Sequence, residues 1–519
     1  MGEMTQTLDA GQPTARPGAR HYRMFIGGEW IDTDEHYTVI DPATEEIVAT
    51  AAKGTTEHVD AAVAAALGAH RSGEWRNTPA VRRAEVLDRV VATLAERMDE
   101  LTELGARENG APFRLSQALT VGFPLEHVQH FADLLRRYEW ERPGPVTGQV
   151  LHTGFVRREP LGVCGGIVPW NFPLVIAVWK SIPALAAGNT VVLKVDEKTP
   201  IGALELATIL REAGLPDGAY NVVTGDGPTV GAHLVRHPDV RKLSFTGSTV
   251  TGRQIMREAA DSIKKVTLEL GGKGPNIVLD DADLDVAVDG SIFAFLLHAG
   301  QACESGTRLL LPDLLHDEFV DRLIRRVKTL KIGNPLDPST DIGPVMSALQ
   351  RDRILNYIER GKREGAEVVL GGGSPIGPEY ERGFWVEPTI FTGVTNDMCI
   401  AREEIFGPVL SVLRYSSVDE AIQIANDTEY GLSAGVWSQD VQRALTVAEQ
   451  LEAGSVWIND WHTISRHMPF GGYKQSGIGR ELGPDALDEF TEQKSVTIDL
   501  SGRRDRRAYG LVISASPER

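Results

Sequence analysis

Beyond residue 160 the chain alternates short apolar runs with helical stretches, and this alternation restricts the fold more than any other feature. Residues 162–168 form a Gly-rich apolar run. Thr190–Lys194 (TVVLK) is a β-branched run, followed after Thr199-Pro200 by a helical stretch over 201–213. Tyr220–Val223 (YNVV) precedes a turn at 224–227. Residues 242–245 (KLSF) precede Thr246-Gly247-Ser248, and 276–279 (NIVL) follow. Short apolar strands separated by helices indicate βαβ units and a parallel sheet. A second series begins after Gly271, with helical stretches at 315–330, 349–364 and Val418–Asn426 around the run Glu367–Leu370. The chain therefore reads as α/β, with two such units joined near residues 270–274. Upstream, residues 58–107 read as helical, because Val59, Ala62, Val63 and Ala66, and then Leu87, Val90, Val91 and Leu94, recur at helical spacing.

A chain of 519 residues is long enough for two or three domains. Its formal net charge of −19 disfavours nucleic acid and anionic membrane surfaces as partners. Phosphate ligands stay open, since helix N-termini bind them whatever the global charge. The three cysteines, Cys164, Cys303 and Cys399, are too few and too scattered for a disulfide framework. No two stand at metal-ligand spacing, so no metal is expected, and a reducing, cytoplasmic setting is. No apolar run has the length of a membrane span. Residues 1–20 are polar and rich in Gly, Pro and Thr, and read as a flexible tail.

Four local patterns carry chemistry. Gly300-Gln301-Ala302-Cys303 puts a cysteine in a glycine-containing turn after a helix, as an exposed nucleophile or as a buried structural cysteine. Glu269-Leu270-Gly271-Gly272-Lys273 ends a strand in two glycines; the Glu is either a base beside a ligand or a surface residue of an ordinary turn. Pro169-Trp170-Asn171-Phe172-Pro173 offers an Asn amide to a developing oxyanion, or is only a rigid turn. Gly247-Ser248-Thr249-Val250-Thr251-Gly252 follows a strand and opens a helix, where a pyrophosphate meets free N–H groups, although it lacks GxGxxG spacing. Gly225-Asp226-Gly227 is a further glycine-rich turn after a strand.

In this order and spacing the four patterns resemble the aldehyde dehydrogenase superfamily. The resemblance runs from Ile26-Gly27-Gly28 to about Leu500. It is strengthened by Lys194-Val195-Asp196-Glu197, by Glu403-Glu404-Ile405-Phe406-Gly407-Pro408, by Asn426 with Tyr430-Gly431-Leu432, and by the run Pro469-Phe470-Gly471-Gly472-Tyr473-Lys474-Gln475-Ser476-Gly477. It implies a Rossmann-like cofactor domain (21–140 and 161–270), an α/β catalytic domain (271–480), a small β oligomerisation element (141–160 and 481–505) and a C-terminal tail (506–519). It implies oxidation of a small aldehyde to a carboxylic acid with Cys303 as nucleophile, Asn171 and the Cys303 backbone N–H as oxyanion donors, and Glu269 as the base that activates water. Lys180 and Glu481 match a proton-relay pair, or form a structural salt bridge.

For the cofactor, the resemblance implies Lys194 and Glu197 at the adenosine ribose, Ser248 at the pyrophosphate, and Glu404 and Phe406 at the nicotinamide end. Pro169, Trp170, Gly225, Gly247, Gly252 and Leu270 are carried over with them. Glu197, with Asp196 beside it, would repel a 2′-phosphate, which favours NAD over NADP. Phe172, Trp179, Leu297, Ile464 and Phe470 are implied around an apolar aldehyde tunnel. Asn459-Asp460-Trp461-His462 with Arg466-His467 is an unusual loop, either accepting a cationic aldehyde through Asp460 or packing on its neighbours. Val195-Asp196 departs from the commoner Pro-Ser, and Glu304 stands where small or apolar residues are usual. The alternatives are a CoA-acylating aldehyde dehydrogenase and a cysteine thioesterase or esterase without hydride transfer. The segments at 141–156 and 494–500 match the elements through which the family forms homodimers or homotetramers.

Overall fold

The computed structural model describes residues 15–144, 152–500, 502 and 507–513. Its centre is an eight-stranded sheet, in the order Gly477–Ile478, Lys265–Glu269, Val240–Thr246, Val163–Ile167, Thr190–Lys194, Tyr220–Val223, Met24–Ile26, Glu29–Ile31. The five strands from Lys265–Glu269 to Tyr220–Val223 run parallel. Three of them, Val163–Ile167, Thr190–Lys194 and Tyr220–Val223, are buried or nearly so along their whole length. That is why they read as continuous apolar runs and not as alternating ones. In the Val163–Ile167 strand, Gly165 and Gly166 let neighbours close in: a Cβ on Gly166 would sit 3.1 Å from the Cβ of Lys180. This close approach seats helix Pro173–Ala186, which is buried on every side, against the sheet.

A seven-stranded sheet follows, in the order Glu367–Leu370, Thr389–Thr392, Val409–Tyr415, Arg308–Pro312, Pro275–Val278, Ser433–Trp437, Ser455–Ile458. Only its edge strand Glu367–Leu370 is antiparallel. Among its buried residues, Arg308 is held by the carbonyls of Lys273, Ile424 and Ala425 and by the Asn396 side chain. Two three-stranded sheets complete the described residues. One is Thr491–Asp499, His152–Pro160, Glu141–Pro143; the other is Ala15–Tyr22, Ile47–Ala52, His36–Ile40.

The stretch 58–107 is helical as expected, in three helices, Thr56–Ser72, Ala80–Glu96 and Met98–Asn109, the first ended by Gly73 at φ 80°. Three readings of the sequence are corrected. Residues 15–20 are no tail: they belong to strand Ala15–Tyr22, which pairs in parallel with Ile47–Ala52. Gly477–Ile478, assigned to the catalytic unit, pairs with Lys265–Glu269 at the edge of the cofactor sheet. Leu482, Ala486, Leu487 and Phe490, assigned to the oligomerisation element, pack in the same core as helix Pro173–Ala186. The hairpin expected at 141–156 is present as Glu141–Pro143 and His152–Pro160, and its residues 145–151 lie outside the described residues. Residues 1–14, and residues 506 and 514–519 of the expected tail, lie outside them too.

Candidate active site

Three neighbouring parallel strands end side by side. After Val163–Ile167 the chain continues into Pro169-Trp170-Asn171. After Val240–Thr246 it continues into Gly247-Ser248, and after Lys265–Glu269 into Leu270-Gly271. From Val163–Ile167 the chain runs to Thr190–Lys194 and Tyr220–Val223 on one side, then crosses back to Val240–Thr246 and Lys265–Glu269 on the other, so the connections diverge here. Ligands bind at such switch points, beyond the carboxyl ends of the strands. All three segments line one cavity of about 150 Å³, together with Cys303, Glu404 and Phe406.

A second, smaller cavity lies next to it. Its walls are apolar and aromatic, and they include all five residues expected there: Phe172, Trp179, Leu297, Ile464 and Phe470. Asn171, Thr246 and Cys303 line both cavities. Cys303 thus stands where one space meets the other.

The turn that carries Cys303 is firmly held. His298, Ala299 and Gly300 take left-handed φ values of 50°, 52° and 73° in succession. The two non-glycine residues cost about 1–2 kcal/mol each in that region. A Cβ on Gly300 would lie 2.2 Å from the Gly407 carbonyl oxygen, so the position admits only glycine. Gln301 fixes the loop through its side chain, accepting from Met346 N at 2.9 Å and donating to His298 O at 3.0 Å. The Asn171 amide nitrogen donates to Gln301 O at 2.9 Å. An amide NH₂ has two donors, so one remains for another acceptor.

Glu269 ends its strand 2% exposed, and neither carboxylate oxygen has a hydrogen-bond partner. Burial, and then the nearby Glu481, push its carboxyl well above the ordinary range, against the opposing pull of Lys180 and Arg480. A Cβ on Gly471 would stand 2.8 Å from Glu269 Oε1, so glycine there leaves the carboxylate room. Lys180 and Glu481 form a buried ion pair, and Ser244 Oγ donates to the same Glu481 oxygen at 3.0 Å. Burial also raises the Cys303 thiol well above its usual range, helped by Glu304 and Glu404.

Glu404 Oε1 accepts from Gly272 N at 3.0 Å. Its other oxygen lies 2.5 Å from where a Gly271 Cβ would be, and a Gly272 Cβ would stand 2.3 Å from Cys303 O. The two glycines therefore let the Glu404 loop and the Cys303 turn close on one strand end. Phe406, at φ 62°, meets the Trp170 ring edge to face at 5.3 Å.

Lys194, Glu197, Gly225 and Gly252 do not line the cavity at Cys303. Lys194 ends the next strand, with Nζ 3.7 Å from Glu197 Oε2. Gly225, at φ 148°, lies against Val230, and Gly252 lies against Leu270. Sequence reasoning missed Thr246, Gln350 and Arg353. Gln350 donates to Phe406 O at 2.7 Å and Arg353 to Glu404 O at 2.9 Å, so both shape the Glu404–Phe406 loop. It also missed Leu119, Phe123, Val175 and Ile176 on the apolar cavity. Helical spacing marks such residues as core, and nothing in it separates a cavity wall from a core. Asp460 is engaged in its own turn, with Trp461 N at 2.8 Å and with the Thr463 hydroxyl.

The α/β fold thus sets a cysteine at the junction of a strand-end cleft and an apolar cavity, with a buried carboxyl on the cleft. The sequence profile of the aldehyde dehydrogenase family matches residues 30–496, and the chain belongs to that family. It is 43% identical to a betaine aldehyde dehydrogenase of Bacillus subtilis (strain 168), over 91% of this chain and 96% of that one. It is 44% identical to a betaine aldehyde dehydrogenase of Brucella anthropi, over 94% and 98%. Among solved structures, the NAD+ complex of an aldehyde dehydrogenase from Bacillus cereus superposes with a TM-score of 0.89 at 43% identity, covering 93% of this chain and 97% of that one. A betaine aldehyde dehydrogenase from Staphylococcus aureus in complex with NAD+ gives 0.90 at 37%, covering 93% and 95%.

Proposed function

We propose that this chain oxidises an aldehyde to the carboxylic acid with NAD, through a thioester on Cys303 that Glu269-activated water hydrolyses. The observation that carries this reading is the position of Cys303 on both cavities, with Asn171 beside it and Glu269 on the larger one.

The larger cleft suits a dinucleotide. Its floor is the N-terminus of helix Thr249–Ala259, capped by Ser248, and the buried Thr246 hydroxyl there lacks a protein partner. Ser248 with Gly247 would hold the pyrophosphate. Lys194 and Glu197 would hold the adenosine ribose, with Gly225 and Gly252 shaping the same rim. Glu404, Phe406, Pro169, Trp170 and Leu270 would hold the nicotinamide end. The carboxylates of Glu197 and Asp196 repel a 2′-phosphate, so NAD is used in preference to NADP. When bound, NAD supplies the hydride acceptor.

The protein's own groups do the rest. Cys303 sulfur adds to the aldehyde carbon. The oxyanion that forms takes hydrogen bonds from the Asn171 amide and the Cys303 backbone N–H. The acyl group left after oxidation is a thioester. Glu269 removes a proton from the attacking water, for which a carboxyl raised above its ordinary range is a better base at neutral pH. Lys180 and Glu481 sit behind Glu269 as the route for that proton. The walls Phe172, Trp179, Leu297, Ile464 and Phe470 suit an aliphatic or aromatic aldehyde of medium size. The chain assembles as a homodimer or homotetramer through the sheet of Thr491–Asp499.

A panel of aldehydes (hexanal, benzaldehyde, betaine aldehyde) followed by NADH appearance, with NAD and then NADP, tests the reading. The expected result is NADH from the apolar aldehydes with NAD, unchanged when CoA is added. A rate that depends on CoA would make the chain acylating. Ester hydrolysis with no NADH from any aldehyde would make it a thioesterase.

A further inference from the structure

Glu304 directly follows the nucleophile, yet it turns inward and is 6% exposed. Cys303 Sγ donates to Glu304 Oε2 at 3.3 Å. The other oxygen, Oε1, meets His462 Nδ1 at 2.9 Å, and both side chains are buried. The Glu304 carbonyl is anchored as well, accepting from Ser433 Oγ and Trp461 Nε1, each at 2.9 Å. Glu304 and His462 line the apolar cavity beside Cys303. His462 is held at φ 56°, its ring edge-on to Phe293 at 5.1 Å. A non-glycine residue keeps that conformation only where its surroundings enforce it. Glu269 has no such link to sulfur, since both its oxygens are without partners.

We propose that Glu304 is the base that takes the proton of Cys303 as the thiol attacks, leaving Glu269 for the water, and that His462 is the positioning residue that aims Glu304. The proposal rests on the reading of Cys303 as nucleophile. The S–H bond breaks and an O–H bond forms on Glu304 Oε2. The electron pair left on sulfur makes the bond to the carbonyl carbon, and the carbonyl π pair moves onto oxygen.

Burial makes this route the favourable one. A free thiolate beside an ionised Glu304 places two negative charges together, and Glu404 and Glu269 also face the sulfur. Transfer within the pair adds no net charge to a buried site. Burial pushes the Glu304 carboxyl up, but His462, the Glu304 backbone amide and Cys303 together hold it below the usual range, so it is ionised and ready to accept.

The test is alkylation of Cys303 by iodoacetamide in cofactor-free enzyme, between about pH 6 and pH 9, read by peptide mass spectrometry. The thiolate is the reacting species. Transfer inside the pair does not depend on pH, so the wild-type rate is expected to be nearly flat. In Glu304→Gln the solvent must take the proton, so the rate is expected to fall at least ~10-fold at the acid end and then climb ~10-fold per pH unit. Glu304→Asp, which keeps the acid at a greater distance, is expected to be slower but still flat. His462→Gln is expected to move the acid limb of the flat region to higher pH. If Glu304→Gln reacts faster than wild type at every pH, and wild type itself climbs ~10-fold per unit, Glu304 is only a repelling neighbour and the proposal fails. An unmoved limb in His462→Gln removes His462 from it. NADH formation retained in Cys303→Ala would instead overturn the reading of the nucleophile, a separate failure.

Discussion

An ionised carboxylate without hydrogen bonds is costly to bury, and the Glu269 carboxyl is buried with no partner for either oxygen. Its raised carboxyl has two consequences. The base form is populated only above that raised value, so steady-state turnover is expected to fall as pH drops through it, well above the ordinary carboxylate range. Glu269→Gln is expected to keep a single burst of NADH and lose the steady state, because acylation needs no base at 269 and hydrolysis does. A steady state within about 10-fold of wild type would assign the water to another group. The second consequence is stability. A carboxyl whose folded value is raised stabilises fully below its unfolded value, and that contribution is lost as pH rises through the folded one. Glu269→Gln is therefore expected to melt about 1–3 °C higher than wild type at alkaline pH, and to match it in acid. Asn171→Ala is expected to lower kcat by about 10²–10³, the usual loss for one oxyanion donor, with Cys303 alkylation retained.

At the scale of elements, the site was legible where chemistry sits at strand ends. Glu269, Gly247-Ser248 and Asn171 each follow a short apolar run, and that pattern alone puts them on one edge of a parallel sheet. Glu304 and His462 were legible only as oddities, because their pairing joins positions 158 residues apart. The strand Ala15–Tyr22 was missed because Pro17 and Gly18 read as linker. Proline is tolerated on an edge strand, and this one lies at the edge of its sheet, against Ile47–Ala52. Gly477–Ile478 is too short to carry any periodicity. Gly300 was read only as part of a turn, yet its left-handed φ and the Gly407 carbonyl leave no room for a side chain. Gly300→Ala is expected to destabilise by about 2 kcal/mol or more and to abolish Cys303 alkylation. Gly365→Ala is the control: φ is +98° there, but nothing lies within 4 Å of the added Cβ. It is expected to lose only about 1 kcal/mol, with alkylation unchanged. Equal losses in the two variants would show that strain, and not the Gly407 contact, sets the requirement.

For the whole molecule, strand Thr491–Asp499 pairs with His152–Pro160 and stands, among the described residues, at the edge of its sheet. An edge strand left open templates pairing with another chain unless something covers it. Close by in sequence, Leu511 and Val512 are 87% and 91% exposed. They follow a short turn, Ala508–Leu511, whose preceding Arg507 is tied to Asp499 and to the Tyr509 hydroxyl. An apolar pair tied through Arg507 to the end of an edge strand suits a surface that a second copy covers. Truncation after Leu500 removes the apolar pair and keeps the strand. It is expected to keep the oligomer while lowering its melting temperature. Truncation after Phe490 removes the strand as well, and monomers are expected in light scattering. An unchanged melting temperature after the shorter cut would take the tail out of the interface. An unchanged oligomer after the longer cut would move the interface elsewhere, since strand Thr491–Asp499 would then no longer be there to join two copies.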